Sequence, residues 1–263
     1  MASPIHLKVR LAMSVALAAF WLASRALAQP SSPAEPVRQP VLVELFTSEG
    51  CSDCPPADAL LARLDATQFV PGVQAIVLSE HVTYWNHLGW RDPFSFDAMD
   101  ERQRQYALHL SLNEVYTPQM VVDGAHQLVG SDADALTRAV ASAAPAPKLR
   151  IAIDDARHAD GAIRFSVRAA AKPGTTLVAV LAQDATRSEV ARGENAGRTL
   201  HHVAVVRVLK EFDSKFADGR PLQLSDPGLS RNDKAGGPLR LVVFLEERNA
   251  GHVVAAAQQI IGQ

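Results

Sequence analysis

The hydrophobic pattern changes along the chain from alternating strands and helices to strands alone. Val41–Thr47 and Val73–Leu78 are apolar runs, rich in β-branched residues, of the kind that forms buried strands. Pro55 and Pro56 suit the first turn of a helix between them. Four apolar residues then recur at helical spacing and give that helix one apolar face: Ala57, Leu60, Leu61 and Leu64. A strand–helix–strand opening of this kind predicts a parallel pair of strands with covered faces.

The rest of the first half adds a helix, a hairpin and a last helix. Ser95 is a candidate cap for a helix that runs to about Leu112. Ser131 and Asp134 have the spacing of a capping box for a helix that ends near Ala144. Two short strands are predicted between these helices, joined by the turn Asp123-Gly124: Gln119–Val122 and His126–Val129.

Beyond Pro145-Ala146-Pro147 the pattern contains strands without helices between them. We predict a linker there, because prolines stop the preceding helix. Six strands are predicted after it: Leu149–Ile153, Ile163–Val167, Leu177–Ala182, His202–Val208, Leu239–Glu246 and Val253–Ile260. This pattern predicts an antiparallel β-sandwich-like domain over residues 147–263, behind an α/β domain over residues 41–146.

The N-terminus has the layout of a secretory signal. Lys8 and Arg10 precede an apolar stretch, and the small residues Ala26 and Ala28 frame a cleavage triplet. We therefore expect a signal peptide over residues 1–28, a Pro- and Ser-rich flexible leader over 29–40, and an exported mature protein without a membrane span. An uncleaved anchor is the alternative interpretation.

Composition excludes several classes of protein. The 263 residues include 26 Lys and Arg against 28 Asp and Glu, a net charge of -2. Removal of the signal takes away Lys8, Arg10 and Arg25 and no acid, so the mature charge is about -5. This balance argues against a nucleic-acid-binding protein. The two cysteines exclude a disulfide-stapled miniature fold and a four-cysteine metal cage.

The two cysteines form a Cys-x-x-Cys motif where the first strand gives way to the helix. Cys51 would lie at the helix N-terminus, where free N–H groups stabilise a thiolate, and Cys54 one turn inside. Cys51 is then the candidate nucleophile and Cys54 the resolving thiol. A static disulfide and a zinc or copper site that also uses His81 and His87 are the alternatives. We expect no metal and no cofactor, and Pro55 excludes haem attachment.

Two distant segments of the chain resemble the thioredoxin superfamily. They are the strand that leads into Cys51 and Cys54, and the segment Thr117–Gly124, which looks like the cis-proline loop of that family. The resemblance implies a thioredoxin-like domain with a mixed sheet and flanking helices. It makes Pro118 a cis-proline and Thr117 a substrate contact. An ordinary trans proline that enters an edge strand is the alternative for Pro118.

Glu44 looks like the buried acid that relays a proton to the second cysteine in that superfamily. A salt-bridged or edge-facing carboxylate is the alternative for Glu44. Asp53 and Glu49 bring negative charge close to Cys51. Negative charge there opposes the helix dipole, so we expect a less acidic thiol and a less oxidising disulfide than in the strongest periplasmic oxidants.

More narrowly, four segments are similar to an exported bacterial family catalogued as domain of unknown function 1223: LFTSEGCSDCPPAD, HVTYWNHLGWRDPFS, YTPQMVVDG and RGENAGRTL. The resemblance covers nearly the whole mature chain. It implies a thioredoxin-like domain followed by a β-rich one, and it brings no activity with it.

Two loops are open to more than one interpretation. Residues His81–Arg91 contain Trp85 and Trp90 and form either a wall beside Cys51 that grips a peptide or a cover for the core. Residues Arg192–Arg198 form either an array of turns or an arm that holds the two domains together. His202, at a strand start, is expected on the surface.

These patterns predict an exported thiol–disulfide oxidoreductase. Its partners would be a protein or peptide thiol or disulfide substrate and a redox partner, with Cys51, Cys54 and Glu44 in catalysis. Trp85, Thr117 and Pro118 would bind the substrate. The alternative is a non-catalytic thioredoxin-fold binding or assembly module with a structural Cys51–Cys54 disulfide.

Overall fold

Eleven strands and three α-helices make up the part of the chain that the computed structural model describes, residues 38–225 and 238–262. The strands are β1 (Gln39–Thr47), β2 (Val73–His81), β3 (Gln119–Val122), β4 (His126–Val129), β5 (Ile151–Ala159), β6 (Ala162–Ala169), β7 (Thr175–Glu189), β8 (Thr199–Asp213), β9 (Asp218–Ser225), β10 (Leu239–Glu247) and β11 (Val253–Ile261). The helices are α1 (Pro55–Thr67), α2 (Asp97–His109) and α3 (Ala133–Ala143). The predicted signal peptide and the leader up to residue 37 lie outside the described residues, so both stay predictions.

Eight strands form one mixed sheet in the order β11-β10-β7-β8-β2-β1-β3-β4. β1 and β2 are parallel, as the opening pattern predicts, and β2 also pairs in parallel with β8. The other pairs in this sheet are antiparallel. A second, antiparallel sheet has the order β5-β6-β9. The fold is therefore α/β, with a mixed sheet, flanking helices and a second antiparallel sheet.

The large sheet contains strands from both sides of the predicted linker at residues 145–147. Four of its strands precede the linker and four follow it, and they meet where Ser79 of β2 pairs with Val205 of β8. The predicted β-sandwich is therefore only partly a separate layer, because most of its strands extend the first sheet. Independent folding of residues 41–146 and 147–263 stays a prediction.

Two apolar cores lie on opposite faces of the extended sheet. Alternate residues of β7 point to opposite sides, as strand geometry requires. Val178 and Val180 join the core that also holds α1 and α3. Leu177 and Leu181 join the core beneath the β5-β6-β9 sheet.

The helix starts differ in detail from the predicted ones. α1 begins with Pro55, as expected. α3 is capped by Asp132, whose carboxylate accepts from the Ala135 N–H at 2.8 Å, and not by Ser131. α2 begins at Asp97 without a side-chain cap, and the Ser95 hydroxyl donates to the Asp92 carbonyl instead. None of the helices in the described residues is long and apolar enough to cross a membrane.

β1 separates the helices because its side chains alternate between the two faces of the sheet. Thr47 donates a hydrogen bond to Asp58 of α1. Glu44 and Phe46 point to the other face, where they contact Arg102 and Tyr106 of α2. α1 and α2 therefore lie on opposite faces of this strand.

Candidate functional site

Cys51 and Cys54 form a disulfide in the turn between β1 and α1. Their Cα atoms are 5.4 Å apart. Cys54 is the N-cap residue of α1, and Cys51 lies three residues before it, outside the helix. The prediction that Cys51 begins the helix with Cys54 one turn inside is therefore wrong by one turn, because the helix starts only at Pro55.

The disulfide is shielded although the two residues inside its loop are exposed. Cys51 is 1% exposed and Cys54 is 0% exposed, whereas Ser52 and Asp53 face solvent. A nucleophilic Cys51 has to be open to polypeptides, and in the structure it is not. Two other segments contact the turn that holds it.

The first covering segment is the tip of the β7–β8 hairpin, residues 190–198. The Asn195 side-chain amide donates to the carbonyl oxygens of Glu49 at 2.9 Å and of Cys51 at 2.8 Å. The Ser52 N–H donates to the Glu194 carboxylate at 3.1 Å. The loop therefore reaches the Cys-x-x-Cys turn, as the arm interpretation expects, and its glycines at positive φ also make it an array of turns. That it holds two separate domains together stays a prediction.

The second covering segment is the loop after β2, with Trp85 at its centre. A Cβ atom on Gly50 would lie 3.0 Å from the Trp85 Cβ, so the backbone before Cys51 is in close contact with this loop. The Trp85 indole N–H donates to the Thr117 hydroxyl at 2.7 Å. Trp85 thereby links the disulfide turn to Thr117.

The Thr117–Pro118 peptide bond is cis, as the resemblance implies. Pro118 is buried and faces the same side of the sheet as the start of α1. A Cβ atom on Gly130 would meet the side chains of Pro118, Ala57 and Leu45 at 3.0–3.1 Å. The predicted substrate-binding residues Trp85, Thr117 and Pro118 therefore lie near the disulfide turn, while their role in binding stays a prediction.

Glu49 is the centre of a buried polar cluster beneath this turn. Its side chain has no exposure to solvent. One carboxylate oxygen accepts from the Trp90 indole at 2.7 Å and from the Ser188 hydroxyl at 3.2 Å, and the other lies 3.4 Å from His202 Nε2. Its N–H donates to the Asp92 carboxylate at 2.8 Å.

His202 is buried in this cluster and not on the surface as expected. Its two ring nitrogens face the carboxylates of Asp58 at 3.6 Å and Glu49 at 3.4 Å. Burial disfavours the charged ring, but the two carboxylates outweigh this effect and raise the pKa of His202 to about 10. We therefore treat His202 as an imidazolium at neutral pH.

His81 pairs with Asp92 and His202 and has no contact with the cysteines among the described residues. Its Nδ1 lies 2.7 Å from the Asp92 carboxylate, and its ring packs on that of His202. Burial raises the pKa of Asp92, but the charge and hydrogen bond of His81 lower it below its ordinary value. His87 is exposed. In residues 38–225 and 238–262, no group of His, Cys, Asp and Glu side chains is arranged to hold a metal ion.

Glu44 belongs to a different network, on the opposite face of the sheet from α1. Its carboxylate accepts from Arg102 at 2.5 Å and from the Tyr106 hydroxyl. The buried Glu80 and Glu246 lie 3.7 Å and 3.0 Å from the same guanidinium. The salt-bridged alternative therefore describes Glu44, and its predicted relay of a proton to Cys54 has no support in this geometry.

The network holds more carboxylates than its one guanidinium can balance. Burial and the Glu44 charge raise the pKa of Glu80 well above its ordinary value, against the opposing charge of Arg102. Burial raises the pKa of Glu246 as well, although Arg102 acts in the other direction. Folding therefore disfavours the charged form of Glu80.

Sequence reasoning missed residues that lie around the disulfide turn in space but are distant from it in the chain. Asn195 in the hairpin tip and His202 on β8 both lie more than 140 residues after Cys51 in the chain. The arm interpretation covers the loop of Asn195, but no local pattern singles out either side chain. Among the missed residues, Asp58 is the one close in sequence, because it follows Cys54 by one helical turn. In the structure its N–H donates to the Cys54 carbonyl.

A family model described as protein of unknown function (DUF1223) matches residues 42–245, which include every residue of this site. The chain belongs to the DUF1223 family. The match extends from β1 into β10, so the DUF1223 region contains both the Cys-x-x-Cys turn and the hairpin that covers it. No curated protein is significantly similar to the chain.

Among solved structures, an X-ray crystal structure of a protein from Agrobacterium tumefaciens is similar to this DUF1223 protein. The two chains are 23% identical, and the match has a TM-score of 0.62. It covers 85% of this chain and 94% of the other one. At this identity the likeness supports the fold alone.

The arrangement has the parts that thiol–disulfide exchange requires, in a closed form. It contains a disulfide at the N-terminus of α1, where the helix dipole favours a released thiolate. The free N–H groups expected there are missing, because Pro55 and Pro56 carry none and those of Ala57 and Asp58 donate to the Cys54 carbonyl. A buried imidazolium, His202, faces the carboxylates of Asp58, one helical turn after Cys54, and of Glu49, two residues before Cys51.

Proposed function

We propose that this protein is an exported thiol–disulfide oxidoreductase with a thioredoxin-like arrangement, acting on proteins or peptides. One observation carries the proposal: the Cys51–Cys54 disulfide occupies the strand-to-helix turn and is linked through Trp85 to the segment Thr117–Pro118. Two motifs that are more than 60 residues apart in sequence thereby meet at one place, as a substrate-binding redox site requires.

The reaction we propose is exchange through a mixed disulfide. A substrate thiolate attacks the Cys51 sulfur, the Cys51–Cys54 bond breaks, and Cys54 leaves as a thiolate that takes up a proton. A second substrate thiolate then attacks the substrate sulfur of the mixed disulfide and releases Cys51. The substrate dithiol becomes a disulfide, and the two cysteines of the protein become thiols. The same steps in reverse reduce a substrate such as insulin: the Cys51 thiolate attacks the substrate disulfide, and Cys54 resolves the mixed disulfide.

A purely structural role explains the position of the disulfide less well. A cross-link that closes a loop of four residues lowers the entropy of the unfolded chain little, about 2 kcal/mol, against about 4.7 kcal/mol for a loop of 100 residues. The turn is also held by hydrogen bonds from Asn195 and by contact with Trp85, so it has other means of keeping its shape.

The shielding of the sulfurs favours a second candidate function. With Cys51 only 1% exposed, the pair matches a static clip in a non-catalytic binding or assembly module. In that case the cysteines stabilise the chain and another surface binds the partner. The two candidates make opposite predictions for the loss of one sulfur.

Single serine variants distinguish them. We expect Cys51→Ser to abolish catalysis of insulin reduction by dithiothreitol, and Cys54→Ser to accumulate a mixed disulfide that a non-reducing gel separates. Ser52→Ala is the matched control, because Ser52 lies in the same loop with an exposed side chain. Wild-type protein that never exceeds the Cys51→Ser background in this assay would contradict the proposal and favour the module.

A further inference from the structure

The tip of the β7–β8 hairpin is a compact loop that the sequence alone marks only as a polar, Gly-rich segment. The Val190 N–H donates to the Arg198 carbonyl, and the Gly197 N–H donates to the Val190 carbonyl, so the tip is closed on itself. Gly193 has φ 80°, and a Cβ there would lie 3.1 Å from the Trp90 Cβ. The tip therefore fits closely between the tryptophan loop and the Cys-x-x-Cys turn.

Asn195 is the side chain that joins this tip to the disulfide turn. It is 0% exposed, whereas its neighbours Glu194 and Ala196 face solvent. Its amide nitrogen donates to the carbonyls of Glu49 and Cys51, and its amide oxygen accepts from Arg198 at 3.0 Å. The Arg198 contact fixes the orientation of the amide, since a guanidinium only donates hydrogen bonds.

We propose that Asn195 is a specificity-determining residue of the exchange reaction, because it keeps the hairpin tip over Cys51 and excludes thiols in solution. This inference rests on the proposed function. A thiolate must approach the Cys51 sulfur closely before the disulfide bond breaks. The tip must therefore leave the turn first, and the two bonds from Asn195 to Glu49 and Cys51 oppose its release.

The role of Asn195 is tested by reducing the Cys51–Cys54 disulfide with a small dithiol, dithiothreitol. A dithiothreitol thiolate attacks the Cys51 sulfur and Cys54 leaves as a thiolate, which takes a proton from water. The second dithiothreitol thiol, once deprotonated, closes the dithiothreitol ring and releases the Cys51 thiolate, which is protonated in turn. Two electrons pass from the dithiol to the protein, which then holds two free thiols.

The experiment compares the rate of this reduction in five forms of the whole chain: the wild type and four single variants. Free thiols are trapped at intervals by alkylation and counted by mass. Loss of two buried hydrogen bonds favours the open form, so we expect Asn195→Ala to be reduced about tenfold faster than the wild type, or more. Asn195→Asp keeps the shape but cannot donate to the carbonyls, so the same acceleration is expected. For Arg198→Ala we expect a smaller increase in the rate of reduction.

Arg192→Ala is the matched control, because Arg192 is an exposed arginine of the same tip and should leave the rate unchanged. The free energy of unfolding of each oxidised variant is measured alongside. Equal rates for Asn195→Ala and the wild type would overturn the inference, as would an acceleration that merely follows a general loss of stability. The rate of reduction reports only access to the sulfurs. Faster reduction of Asn195→Ala, together with no insulin reduction by the wild type, would therefore support the role of Asn195 in holding the hairpin tip and refute the proposed function.

Discussion

Glu49 joins three separate parts of the molecule at a position two residues before Cys51. Its carboxylate contacts Trp90 from the loop after β2, Ser188 from β7 and His202 from β8. A carboxylate without solvent exposure is stable only when such partners replace water. The imidazolium of His202 is the partner with the opposite charge, and it faces both Glu49 and Asp58.

His202→Gln should therefore destabilise the protein in a pH-dependent way. The pKa of about 10 in the folded protein lies above the ordinary value of 6.5. The stabilisation by His202 is complete below about pH 6.5 and is lost as the pH rises through about 10. We expect the variant to lose about 3 to 5 kcal/mol in the free energy of unfolding at pH 6, and less at pH 10.

Urea denaturation at both pH values measures this effect. His201→Gln is the matched control, since the neighbouring side chain is exposed and a change there should stay within about 0.5 kcal/mol. An equal loss at pH 6 and pH 10 for His202→Gln would show that His202 is not charged in the folded protein.

At the scale of elements, Arg102 connects α2 to three strands of the large sheet. It contacts Glu44 of β1 and Glu246 of β10 and lies near Glu80 of β2. Only Glu44 among these acids also accepts from Tyr106. The network therefore holds α2 on the sheet. Its carboxyl groups differ in their effect: Glu44 stabilises the folded protein, and Glu80 destabilises it.

Glu44→Gln and Glu80→Gln should have opposite effects. Glu44→Gln weakens the buried pair with Arg102, and we expect a loss of about 3 to 5 kcal/mol in the free energy of unfolding. The pKa of Glu80 is raised on folding, so the wild type loses stability as the pH rises above the ordinary value of 4.5. Glu80→Gln removes this loss and should stabilise the protein by about 1 kcal/mol or more at pH 8.

The same two variants test the predicted proton relay through Glu44. Because Glu44 lies on the opposite face of β1 from α1, Glu44→Gln should leave the reduction potential of the cysteine pair unchanged. Denaturation at pH 5 and pH 8 gives the stabilities, and equilibration with glutathione gives the potential. A potential shifted by Glu44→Gln alone would restore the relay.

Local pattern predicts most elements of the first half and fewer of the second. β1, α1, β3 and β4 follow from apolar periodicity, prolines and the Asp123-Gly124 turn. β7 and β8 are each 15 residues long, about twice the predicted length, because their ends are polar and half-exposed. β9 carries charged residues and Pro221, so its sequence gives no apolar run.

At the scale of the whole molecule, the sequence predicts the α/β class but not the joining of the two halves. The pairing of Ser79 with Val205 depends on which strands meet in space, and periodicity carries no information on strand partners. The disulfide position was predictable because its signal is local. Its covering was predictable only in part. The arm interpretation points to residues 192–198, but the contacts of Asn195 and His202 depend on which segments meet in space.

The reduction potential of the Cys51–Cys54 couple, measured by equilibration of the whole mature chain with glutathione, tests the central claim most directly. A working dithiol should have a potential between about −270 and −120 mV. We expect a value toward the reducing end of that range, because the exposed Asp53 places negative charge beside Cys51, whereas the charge of Glu49 is opposed by His202. A potential below about −300 mV is typical of inert structural disulfides and would contradict the account.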